Sequence, residues 1–188
     1  MAASRGFSWG SFIMGAITLL ILLVAAAAIV IFGGFYPIAA SEPDSAGVGW
    51  ILGTTMDHSV ERNAAGLKAP SFSAADIREG AGHFKGMCQQ CHGGPGAERE
   101  EFAQGLNPTP PNLAKSTDDM SVAQVFWIAK HGIKMTAMPA FGKTDSDEEL
   151  WKIAAFVKQM SNVTPQQYAA IPNAHEEMEK GGMKGDRD

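Results

Sequence analysis

The chain has 188 residues, 45% of them hydrophobic and 19% charged, and its 20 Asp and Glu outnumber its 15 Lys and Arg. That mildly acidic balance, with no basic stripe and no aromatic-interleaved patch, gives no support to nucleic-acid binding. Once an apolar N-terminal run is set aside, about 150 residues are left, enough for one small domain with extensions.

The apolar run covers the 21 residues from Phe12 to Phe32, without a charge or a proline. At about 1.5 Å per residue it spans roughly 30 Å, the thickness of a bilayer's hydrocarbon core. A secretory signal has an apolar region of only about 7–15 residues. Ala39-Ala40 before Ser41 would pass for a cleavage site, but the length of the run favours an uncleaved transmembrane helix, with residues 12–32 in the lipid bilayer. Arg5 precedes the span, whereas Glu42 and Asp44 follow it. The positive-inside rule then places the N-terminus in the cytoplasm and residues 37–188 on the far side of a bacterial inner membrane, in the periplasm. Trp9 and Tyr36 flank the span at interfacial depths. Residues 1–36 are read as this anchor.

Ser41 to Gly47 reads as a polar hinge. Beyond it Leu52, Met56, Val60 and Ala64 recur at every fourth position, the pattern of an amphipathic helix. Such a helix either packs on the domain that follows, lies on the membrane surface, or docks on a neighbouring subunit. Residues 37–73 form the linker that contains it, and Ala69 to Ser73 breaks the chain. Ala74 to Met87 then reads as a helix leading into Cys88.

Cys88-Gln89-Gln90-Cys91-His92 is a C-x-x-C-H run, the attachment signature of a c-type haem. The two-residue spacing lets one helical turn present both thiols to the vinyl groups of one porphyrin. It also puts His92 beneath the iron as proximal ligand. The chain has no other cysteine, so the reading is one covalently bound haem c. A zinc site would need four ligands, usually in paired half-sites, and only an improvised set with His92 and His131 offers itself. A thioredoxin-like C-x-x-C should open a helix after a strand, and no strand pattern surrounds Cys88. In bacteria, haem is attached to this motif in the periplasm, in agreement with the topology.

Downstream, Pro110-Pro111-Asn112-Leu113 breaks the chain, and Gly132 to Gly142 holds two methionines, Met135 and Met138. Pro139 fixes its own φ and biases Met138 away from helix, so Met138 belongs to a rigid extended loop suited to carrying a ligand. Met135 and His131 are its rivals. Lys130, Lys134 and Lys143 cluster around this loop in sequence. They form either a basic rim that steers an acidic redox partner or a scattered solvated surface. Glu148 to Met160 reads as a helix with Ile153 and Phe156 on one face. Thr164-Pro165 begins a short helix or wrap, and from His175 the mixture of Glu, Lys, Gly and Asp reads as a disordered tail. Residues 163–188 are thus a polar extension. His58, His83 and His175 are expected to face solvent.

From about Ala74 to Met160 the chain resembles the class I monohaem cytochromes c. Met138-Pro139-Ala140-Phe141 matches that family's distal methionine, followed by proline and then, two residues on, an aromatic. The resemblance implies an all-α fold, about three to five helices around one covalent haem, here with one N-terminal transmembrane helix and a haem domain at 74–162. It implies Cys88 and Cys91 as the thioether pair, His92 and Met138 as iron ligands, and a proline carbonyl, best matched by Pro111, accepting the His92 N–H. It also implies that Gly80 and Phe84 pack at close range on the C-terminal helix.

A haem held by His and Met has no vacant iron position, and methionine sulfur raises its reduction potential. The expected role is single-electron transfer rather than an enzyme's turnover of a small-molecule substrate. Its partners would be redox proteins or the subunits of a respiratory, dehydrogenase or photosynthetic complex. The alternatives are a haem enzyme or gas sensor in which Met138 is displaced, and a structural subunit that stabilises a membrane complex.

Overall fold

A computed structural model describes residues 8–174, and among these the chain is all-helical with no strands. It divides into two compact units that part between Glu42 and Pro43.

The first unit is built on one helix, α1 (Trp9–Gly33). Ser8 caps its start by accepting from the Ser11 N–H, and Gly34, at φ 66°, ends it by donating to the Val30 carbonyl. No residue of α1 is buried, and its most apolar stretch has a mean hydropathy of 2.9. A helix apolar on every side and uncovered is suited to lipid rather than water, which suggests a membrane anchor.

The second unit opens with α2 (Ala46–Ala64), capped by Ser45. Of the expected stripe, Val60 and Ala64 are buried and Met56 is half-buried, while Leu52 is exposed along with Trp50 and Ile51. The C-terminal half of α2 packs on the domain, against α6 (Val122–His131). Its first turns stay uncovered.

Two helices form the centre of the unit, α3 (Ala74–Met87) and α7 (Asp147–Val157). Both start at a capping box. Ser73 and Asp76 exchange side-chain and backbone bonds of 3.2 and 2.8 Å, and Ser146 and Glu149 do the same at 3.2 and 2.9 Å. Satisfying two orphan N–H groups at each start is why the boundaries fall there. α3 covers the expected residues, whereas α7 stops three residues short of Met160 and continues as a 3₁₀ turn, Met160–Asn162.

The two helices touch backbone to backbone. A Cβ on Gly80 would lie 2.1 Å from the Lys152 carbonyl oxygen, so only glycine admits this approach. One turn on, Phe84 meets Phe156 at a centroid distance of 5.3 Å. α6 closes the core with Val125, Phe126 and Ala129, and Phe126 stacks on Trp151 at 3.9 Å with the rings parallel. At the rim, Lys152 binds Glu148 at 2.7 Å and Glu79 at 2.9 Å, tying α7 to α3.

The solvent-facing expectation fails for His83. It is 7% exposed, with Nε2 3.9 Å from the Glu79 carboxylate, because α3 is covered on two sides. α7 takes one side, and residues 172–174 lie against Gly82 on the other. His58 is exposed, and His175, the tail beyond it and Arg5 lie outside the described residues.

Candidate haem site

The C-x-x-C-H run is a single helical turn. Cys88 ends α3, its N–H donating to Phe84 O at 2.8 Å, and its own carbonyl accepts from the Cys91 and His92 N–H groups at 3.2 and 2.9 Å. The short helix α4 (Gln89–His92) thus continues α3 after one residue. Both thiols are free, Cys88 buried and Cys91 half-buried.

Burial, then the negative charges of Asp145 and Cys91, pushes the Cys88 thiol up to about 12. A thiol held neutral is unlike the thiolate of a disulfide oxidoreductase, and the helix before it is not the strand that reading needs. Among the described residues no group of three or more His, Cys, Asp or Glu is placed to hold a metal ion, so an improvised zinc site has no support.

His92 projects toward the loop that follows α4. Its Nδ1 lies 3.0 Å from Pro111 O, so the N–H is on Nδ1 and Nε2 is left as a bare ring nitrogen. Burial, and then the Arg99 charge, hold the imidazole below its usual pKa, against the opposing pull of the Pro111 carbonyl. A neutral imidazole with one nitrogen fixed by a carbonyl is the form that ligates a metal.

The Pro111 loop is itself anchored. Asn112 caps α5 (Leu113–Ser116) through a 3.1 Å bond from Ala114 N. The Lys158 ammonium, just past α7, donates to the carbonyls of Thr117 and Asp118 that follow it.

Met138 stands on a separate loop between α6 and α7. α6 ends at Gly132, whose φ of 64° and ψ of −173° belong almost solely to glycine. A Cβ there would sit 2.7 Å from Met138 O. Ile133 N–H donates to Met138 O at 3.2 Å, Thr136 Oγ1 donates to Ile133 O at 2.8 Å, and Met138 N–H donates to Thr136 Oγ1 at 3.0 Å. Met138 is half-buried on this braced loop, whereas Met135 sits at its tip with φ 61° and 81% of its surface exposed. His131 is exposed, its ring 4.9 Å from that of Trp127.

Of Lys130, Lys134 and Lys143, the first is drawn into an ion pair. Lys130 is bound to Asp147 at 2.7 Å and lies 5.6 Å over the Phe126 ring.

Sequence reasoning gave no part here to residues beyond Met160, yet one of them reaches the motif. Tyr168, on α8 (Pro165–Ala169), is 2% exposed and donates its hydroxyl to Gln89 Oε1 at 2.8 Å.

The donor set fits a covalently held haem: two free thiols on one turn, a neutral imidazole with Nε2 unpaired, and a thioether on a braced loop. Residues 75–157 match the family described as cytochrome C oxidase, cbb3-type, subunit III. No curated protein and no solved structure matches the chain. The matched segment runs from α3 through α7 and includes Cys88, Cys91, His92, Pro111 and Met138. The match is to a class I-like c-type cytochrome domain, and it supports haem c and a part in electron transfer.

Proposed function

We propose that the protein is a membrane-anchored electron-transfer cytochrome c carrying one covalent haem. The observation that carries this reading is the His92 Nδ1 contact with Pro111 O at 3.0 Å, made from the turn that also bears Cys88 and Cys91. Bound there, haem supplies a one-electron iron couple. Cys88 and Cys91 would hold it by thioethers, His92 Nε2 and Met138 sulfur would ligate its iron, and Pro111 fixes the tautomer and orientation of His92. With His92 and Met138 both committed to the iron, the site would pass electrons rather than bind a small molecule.

Residues 1–36 anchor the chain in the inner membrane with the N-terminus in the cytoplasm. Residues 37–73 link the anchor to a periplasmic haem domain at 74–162, and 163–188 form an extension. The charge before and after α1 supports this orientation. The partners are redox proteins or the other subunits of a membrane complex. The match to an oxidase subunit III favours a respiratory one.

Visible spectroscopy of the detergent-solubilised protein tests the reading. A low-spin spectrum with no carbon monoxide binding to the ferrous form is expected. Ready carbon monoxide binding by the unaltered protein would refute closed His/Met ligation and favour a haem enzyme or gas sensor.

A further inference from the structure

α8 lies beyond the cytochrome match, yet it is packed against the haem-attachment turn. At five residues it is too short to be stable alone. Its start is closed by a Thr164–Gln167 capping box and the Pro165 ring. At its other end the Lys85 ammonium, from α3, takes the carbonyl of Ile171 at 2.8 Å and lies within 3.5 Å of those of Ala169 and Tyr168. A cation at a helix C-terminus satisfies the last carbonyls and suits the dipole.

Tyr168 is held as tightly. Its ring lies parallel to Phe156 at 5.9 Å, and Lys85 Nζ is 5.3 Å from its centroid. The loop after His92, closed by the Gly94–Ala97 pair at 2.9 and 3.0 Å, presses on the same ring. A Cβ on Gly94 would be 2.7 Å from it, and one on Gly96 would be 2.5 Å from Pro165. Packing alone would accept phenylalanine here. The buried hydroxyl needs a partner, and it takes Gln89, one of the two residues between the haem-linking cysteines.

Resting on the haem reading above, we propose that Tyr168 is a positioning residue for the proximal side. α8 is a strap whose Tyr168–Gln89 hydrogen bond fixes the Cys88–His92 turn, as the Pro111 carbonyl fixes the His92 ring. The imidazole is then oriented through its backbone as well as through its Nδ1.

A double-mutant cycle on the mature, detergent-solubilised protein tests this, with Tyr168→Phe, Gln89→Ala and the pair. Losing one buried hydrogen bond should speed amide exchange at Cys91, His92 and Gly93 by roughly 2- to 13-fold. Both single variants should also shift the reduction potential in the same direction, and the pair should do no more than one of them. Exchange and potential left unchanged in Tyr168→Phe, or effects that simply add in the pair, would overturn the strap. Intact mass keeps the two claims apart. A parent protein without haem would refute the proposed function, while the exchange comparison, which needs no haem, would still decide on Tyr168.

Discussion

Replacing Gly132 by alanine strikes the loop that carries Met138. At φ 64° and ψ −173° a residue with a side chain is strained by about 1–3 kcal/mol. The new Cβ would also lie 2.7 Å from Met138 O, 2.7 Å from Pro139 C and 2.8 Å from Ala140 N, where ordinary contact begins at 3.4 Å. Backbone would have to retreat by about 0.7 Å, and overpacking of this kind costs about 1–3 kcal/mol. Together the two effects amount to about 4 kcal/mol. For a domain of this size that lowers Tm by about 15 °C or more. The displacement falls on the Ile133–Met138 bond, so the methionine should also loosen from the iron. Thermal unfolding followed by circular dichroism measures the first effect, and carbon monoxide binding to the ferrous protein measures the second. A Gly132→Ala protein melting within about 3 °C of the parent, and still closed to carbon monoxide, would show that this loop does not set the position of Met138.

Gly80→Ala would drive a Cβ into the Lys152 carbonyl and push α3 off α7, with an expected loss of about 3 kcal/mol and a urea midpoint lower by about 1–2 M. An unchanged midpoint would mean that the helices are not in backbone contact. Met138→Ala should keep haem attached, lower the reduction potential and open the iron to carbon monoxide, while Met135→Ala at the exposed loop tip changes neither; the reverse pattern would make Met135 the ligand. In acid, the Ser146 hydroxyl and N–H, then the His83 and Lys152 charges, hold the Glu149 carboxyl below its ordinary 4.5. Its contribution is therefore complete above about pH 4.5 and is lost as pH falls through the lower folded value. Glu149 is largely solvated, so Glu149→Gln should flatten the acid limb of a stability–pH curve by less than about 1 kcal/mol. A curve as steep as the parent's would remove Glu149 from the account.

What sequence could reveal here depended on how local each interaction is. The C-x-x-C-H turn lies within five residues, and the Ser73–Asp76 box within four, so motif and helix start are both legible. α7 runs on in periodicity past Val157, and nothing nearby shows that the Lys158 ammonium turns to carbonyls 40 and 41 residues earlier. His83 looks like a polar-face residue because the segment that covers α3, residues 172–174, has no periodic pattern to announce it. Lys130 counts as a free cation until Asp147, 17 residues on, is found beside it. Tyr168 meets Gln89 across 79 residues, beyond the reach of any spacing rule. Gly132 is readable as a helix stop, but not as the residue on which the Met138 loop closes.

Intact-mass spectrometry of the mature protein, with and without Cys88→Ala and Cys91→Ala, tests the central claim most directly. One haem added to the parent chain, and no covalently bound haem when both cysteines are replaced, is the predicted result. A mature chain at the mass of its amino acids alone would contradict the account.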